Sequence, residues 1–142
     1  MSSYGERAEA LFHEGYNCAQ SVLVAFQAQT GLDEDTAARL ASPFGAGMGQ
    51  LRETCGAFTG ALLVIGALAG AGSPPDREAK RQVYAKVREA AEQFREDNGS
   101  LVCGELLGLR LPPDGKPLPK KKPCVQLART AAEIAAAVLQ LP

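Results

Sequence analysis

The chain has 142 residues, 46% of them hydrophobic and 22% charged, with a formal net charge of −1. That length suits one compact domain, 1–142, able to bury roughly two thirds of the surface its unfolded form exposes. A near-neutral chain with 6% aromatic residues and no Trp has neither the field to hold nucleic acid nor a platform for stacking bases.

The first residues, MSSYGERAEALF, lack a basic segment followed by an apolar core, so no secretory signal is expected. The longest apolar run, Ala57 to Ala71, is shorter than the ~20 residues of a membrane span, so none is expected. The reading is therefore a cytoplasmic protein. There thiols stay reduced, and four cysteines suit chemistry better than stapling.

Apolar residues recur at helical spacing, and no strand-like alternation is found. The fold class expected is all-α, a single-domain bundle of about six helices around a central apolar helix, 54–70. The first helix runs from about Ser3 to Glu14, closed by Gly15. The second opens at Asn17, a good N-cap, with Gln20 placed to complete a capping box. Gly31 closes it. A short acidic-start helix, DEDTAARLAS, is stopped by Pro43 and followed by the glycine-rich loop PFGAGMGQ. No strand precedes that loop and its spacing is not that of a nucleotide-binding motif, so it reads as a connector.

Thr54 is the expected cap of the central helix, TCGAFTGALLVIGALAG. Apolar all round, this helix should be the one the others wrap. Gly56 and Gly60, like Gly66 and Gly70, stand four apart. Interior helical glycine costs about 1 kcal/mol relative to Ala, so the repetition suggests close approach by a helix or a bound group. A long amphipathic helix follows, with Ser73 as cap, Pro74 at its first position and Gly99 at its end. SLVCGELLG forms one or two turns with Ser100 as cap. LRLPPDGKPLPKKKP is a loop. The last helix spans about Cys124 to Leu139, and its Ala-rich stripe offers a self-association face, which allows a homodimer.

The four cysteines, Cys18, Cys55, Cys103 and Cys124, all fall in the first turn of a predicted helix. A helix N-terminus carries unsatisfied N–H groups and about half a positive charge. A thiolate there is stabilised, its pKa falling from about 8.5 to as low as ~3.5–7.5. Lys120, Lys121 and Lys122 add positive potential before Cys124. If the helix starts meet, four thiolates face one spot.

These residues bear a family resemblance. GYNCAQSVL around Cys18, the FGAGMG loop, C-G-A-F-T-G at Cys55–Gly60, CGELLG at Cys103 and the closing Cys124 resemble the bacterial and archaeal family of redox-active proteins with four characteristic cysteines and a C-G-A-x-x-G motif. The resemblance covers nearly the whole chain. It implies redox activity through the cysteines and names no substrate. Related modules occur beside haem and iron–sulfur centres, but this chain has no C-x-x-C-H for covalent haem.

Three readings follow. The cysteines form one redox-active site for electron transfer or thiol–disulfide chemistry with an unidentified redox partner; three pairings are open. Alternatively, the same four cysteines bind an iron–sulfur cluster or zinc, with Gly56 and Gly60 leaving room for a bulky cofactor. Short C-x-x-C knuckles common to such sites are absent. The third reading is a helical interaction module with inert cysteines. His13 is either a base or ligand near Cys18 or a surface residue. Tyr16, Asn17 and Glu105 either shape the site or serve as turn, cap and first-turn acid.

Overall fold

Side-chain caps at Asn17, Asp33 and Asp76 start three of the helices. The computed structural model describes residues 3–119 and 122–142, so Lys120 and Lys121 of the lysine cluster lie outside the described residues. In chain order the elements are α1 (Tyr4–His13), α2 (Cys18–Ala25), α3 (Gln27–Thr30), α4 (Glu34–Ala41), a 3₁₀ turn (Ser42–Phe44), α5 (Gly45–Met48), α6 (Gly56–Ala69), α7 (Arg77–Asn98), α8 (Cys103–Leu106) and α9 (Cys124–Val138). The fold is all-α, as the sequence predicts, and among the described residues six helices have eight or more residues. The one extended pairing among them is an isolated antiparallel bridge between Thr54 and Val102.

The Asn17 cap and its reciprocal partner Gln20 form as predicted. Several other caps differ. Asp76, not Ser73, starts α7, its carboxylate accepting from the Glu78 N–H. Two prolines precede it, and the carboxylate is the stronger acceptor for the free N–H groups of a first turn. Thr54 is drawn into the bridge with Val102, and Cys55 becomes the N-cap residue of α6. Ser100 sits two residues before the Val102 cap of α8 and accepts from the Val102 N–H at 2.9 Å.

α6 is enclosed over its first half only. Gly56 to Ala61, Val64 and Ile65 are buried, whereas Gly66 to Leu68 face outward. α2 is wrapped more completely, with Cys18, Ala19 and Ser21 to Ala25 all buried. The core therefore has two apolar helices rather than one. Phe26 stacks on Tyr4 with ring centroids 4.5 Å apart, and Phe58 meets Phe94 of α7 at 5.6 Å. Burying each large side chain of this kind contributes roughly 1.5–3 kcal/mol. Five of the six alanines of α9 (Ala128, Ala131, Ala132, Ala135 and Ala136) are buried within this one chain, and Ala137 is exposed. Most of that stripe is therefore used in the chain's own core.

Gly60 marks the closest helix crossing. A Cβ there would meet the Ala19 carbonyl oxygen at 2.8 Å and the Val22 side chain at 2.9 Å. At Gly66 a Cβ would meet nothing within 4 Å, so the regular glycine spacing has two unrelated causes.

Candidate four-cysteine site

Cys18 is the first residue of α2, aimed by the capping box beneath it. Asn17 Oδ1 accepts from the Gln20 N–H at 2.9 Å, and Gln20 Oε1 accepts from the Asn17 N–H at 2.9 Å. The same two side chains reach outward, Asn17 Nδ2 donating to the Ser42 carbonyl at 3.1 Å and Gln20 Nε2 to that of Ala38 at 3.0 Å. The box thus ties α2 to the end of α4. Asn17→Ala should cost about 1–2 kcal/mol, the upper end of an N-cap loss because it also frees the Ser42 carbonyl. Urea unfolding at pH 7 would show it, and a cost within a few tenths of a kcal/mol would deny the cap its role.

Cys55 and Cys103 are held by backbone on either side of the Thr54–Val102 bridge. The Cys55 N–H donates to the Leu101 carbonyl at 2.7 Å, and the Cys103 N–H donates to the Glu53 carbonyl. Cys124 opens α9 after Pro123, whose extended backbone sets the turn.

The connector 45–53 joins these pieces. Ala46, Gly47, Met48, Gly49 and Gln50 all have φ between 57° and 74°, and Arg52 has 61°. Left-handed backbone costs a non-glycine residue roughly 1–2 kcal/mol. Tertiary bonds over-determine the turn and sustain it. The Arg52 N–H donates to the Ala46 carbonyl at 3.3 Å, Glu53 N–H to Gly47 at 3.0 Å, and Gly104 N–H to Arg52 at 3.0 Å. The sequence reading of a loop is right, but it is an ordered left-handed turn.

Together these elements enclose a cavity of about 220 Å³ lined by all four cysteines. Phe12, Leu106 and Leu127 make its apolar wall; Tyr16, Asn17, Ala46, Arg52 and Gly56 also border it. Cys18, Cys55 and Cys103 are buried and Cys124 is half-buried; all four are free thiols. Gly56 lets α6 sit against the first cysteine, since a Cβ there would lie 2.6 Å from Cys18 Sγ. Gly60 is not among the lining residues; it faces α2, as described above.

The predicted thiolate stabilisation is opposed by burial. Cys55 is pushed up to about 12, first by burial and then by repulsion from Cys18, against the pull of the Phe58 and Ala57 N–H groups. Burial likewise raises Cys18, opposed by the N–H groups of Ala46 and Ala19. It raises Cys124 too, with repulsion from Cys18 and Cys103 adding and the Arg52 charge opposing. The helix-start N–H groups act in the expected direction. Removing a sulfur anion from water costs more than those dipoles return.

The other candidates lie apart from the thiols or at their margin. His13 is exposed. Tyr16 donates its hydroxyl to Glu34 Oε1 at 2.9 Å. Glu105 accepts from the Ser100 hydroxyl at 2.7 Å. Lys122 Nζ donates to the Asp97 carbonyl at 3.2 Å. Among the described residues no three His, Cys, Asp or Glu side chains are placed to hold a metal ion. Phe12, Arg52 and Leu127 border the cavity outside every segment singled out from sequence, and only nearness to Cys55 points to Arg52, whereas Ala46, Leu106 and Leu107 lie within FGAGMG and CGELLG.

A helical domain with four free cysteines on one cavity defines a thiol-bearing all-α protein. The chain belongs to the family described as "Putative redox-active protein (C_GCAxxG_C_C)", which matches residues 16–138. The family label writes G-C-A-x-x-G where this chain reads C-G-A-F-T-G. A redox-related role holds at the level of that family. No curated protein and no solved structure matches the chain.

Proposed function

We propose that the four cysteines form one redox centre that works by thiol–disulfide exchange in the cytoplasm. The observation that supports this most is the convergence of cysteines from residues 18, 55, 103 and 124 on a single cavity. Packing alone does not require that coincidence, because buried free cysteines serve equally well scattered through a core. In the exchange two protein thiols and one external disulfide give one protein disulfide and two external thiols, with protons and electrons conserved.

An electron-carrying iron–sulfur cluster or a zinc site is the second reading. An apolar space of about 220 Å³ beside four sulfurs favours it. Here the four cysteines would be the ligands.

The test is anaerobic purification, followed by iron, zinc and acid-labile sulfide content and by thiol counting before and after a small disulfide is added. The expected result is four thiols when reduced, at least two lost on oxidation, and less than stoichiometric metal. Stoichiometric iron and sulfide would replace exchange with electron transfer. Zinc alone would point to a structural or sensing site. Four thiols that no disulfide touches would leave them as packing. Cys55→Ser should keep its helical circular dichroism and lose at least one of these reactions; unfolding without any change in thiol chemistry of the remaining cysteines would assign Cys55 to packing.

A further inference from the structure

Among the described residues, Arg52 is the one cationic side chain bordering the cavity. Its guanidinium donates toward Cys103 Sγ at 3.9 Å. Among the described residues it forms no ion pair with a carboxylate; neighbouring Glu53 pairs instead with Arg110 at 3.2 Å. An arginine in apolar surroundings without a carboxylate is poised for an anion that arises during function. Its own backbone is held at φ 61°, bonded on both sides to Ala46 and Gly104. Left-handed strain at a non-glycine residue persists where the surroundings impose it, and it often marks a functional position. Here it sets the side chain against the cavity, within reach of Cys103.

The four thiols are not equivalent with respect to that charge. Cys18 Sγ lies against Gly56 of α6, and Cys18, Cys55 and Cys103 are 8%, 4% and 6% exposed. Cys124 is the half-buried one, and it feels the attraction of Arg52. Cys103 is the thiol that the guanidinium approaches.

We propose that Arg52 makes Cys103 and Cys124 the reacting pair, with Cys18 and Cys55 left as the second pair. The step rests on the exchange reading above. The Cys124 thiolate attacks one sulfur of a small external disulfide, a sulfur–sulfur bond breaks, and one external thiolate leaves. The Cys103 thiolate, stabilised by Arg52, then attacks the Cys124 sulfur and expels the second external thiolate. The two protons lost from the cysteines end on the two released thiolates. The external disulfide is reduced by two electrons and the cysteine pair oxidised by two. Arg52 touches a reacting sulfur and does not itself exchange a proton. Among the described residues, the other titratable groups on the cavity are Cys18, Cys55 and Tyr16.

The test oxidises the reduced full-length protein with oxidised glutathione at pH 8, quenches by alkylation at intervals, and maps the first disulfide by peptide mass. The expected first bond joins Cys103 and Cys124. In Arg52→Gln its formation should be about tenfold slower. Arg52→Lys, which keeps the charge, should recover much of that rate, and circular dichroism shows whether either variant is folded. A first bond to Cys18 or Cys55 in the wild-type protein overturns the inference and leaves four-thiol exchange standing. So does an unchanged rate in a folded Arg52→Gln. No bond in the wild-type protein overturns both. The mapping on wild-type protein is decisive even if the Gln variant does not fold.

Discussion

Replacing Gly47 by Ala should take the cysteine cavity apart at a cost of about 3 kcal/mol or more. The φ of 70° at this position already disfavours any side chain. The added Cβ would also stand 2.5 Å from Cys103 Cβ, 2.8 Å from the Arg52 Cα and 2.8 Å from the Glu53 nitrogen. Two of those three neighbours are backbone, and they belong to the strand-like segment that aims Cys103. The clash cannot be relieved by one rotamer change, so the connector and α8 must separate. Urea unfolding would give the loss in stability, and alkylation of Cys103 in the native state should become faster. Gly66→Ala is the control in the same helix system. It adds a methyl to open space on an exposed helical position and should be neutral or stabilising by up to about 1 kcal/mol. Equal effects from the two substitutions would refute the reading of Gly47 as a close-approach position.

Alkaline instability is the second large effect. The Cys55 thiol titrates near 9 in ordinary surroundings and is pushed up to about 12 in the folded chain. Between those values the folded state holds a proton that the unfolded state has released. Stability contributed by the buried neutral thiol is complete below about pH 8.5 and declines as pH rises toward 12. The span of pKa corresponds to about 4 kcal/mol from this one group. Cys18 and Cys124 shift in the same direction and add to it. Urea midpoints at pH 7, 9 and 10.5 should fall steeply for the wild-type chain. The slope should be shallower in Cys55→Ala, whatever that variant's stability at pH 7. Parallel curves for the two proteins would mean that Cys55 ionises in the folded state as freely as in water.

Helix content and the meeting of the cysteines could be read from residues because both follow from local rules. Asn17 and Gln20 declare a capping box wherever it lies in a fold, and Gly99 takes the left-handed closing position expected of it, whereas the helix opened at Asn17 breaks at Phe26 and Gly31 closes the separate α3. Four cysteines at four helix starts is likewise a local pattern, and the fold brings all four to one cavity. Other features are set by partners distant in sequence. Thr54 has the chemistry of a cap, yet its backbone is claimed by Val102. Ala46, Met48 and Gln50 have no intrinsic preference for positive φ; bonds across the connector and to Gly104 impose it. The direction of the thiol shifts was misjudged for the same reason. Helix-start dipoles are visible in sequence, whereas the depth of Cys55 depends on how α6 meets its neighbours. Arg52 carries no local signal at all, since its significance lies in the sulfur it approaches.

The graded burial of the thiols also makes the molecule its own stopwatch. Cys124 can be reached after small fluctuations at the cavity mouth, while Cys55 becomes available only when the Thr54–Val102 clasp and the start of α6 part. Native-state labelling of each sulfur therefore times a different opening event, from local breathing to loss of the whole bundle. No reporter has to be introduced, because a single chain carries shallow and deep probes of identical chemistry within one chamber.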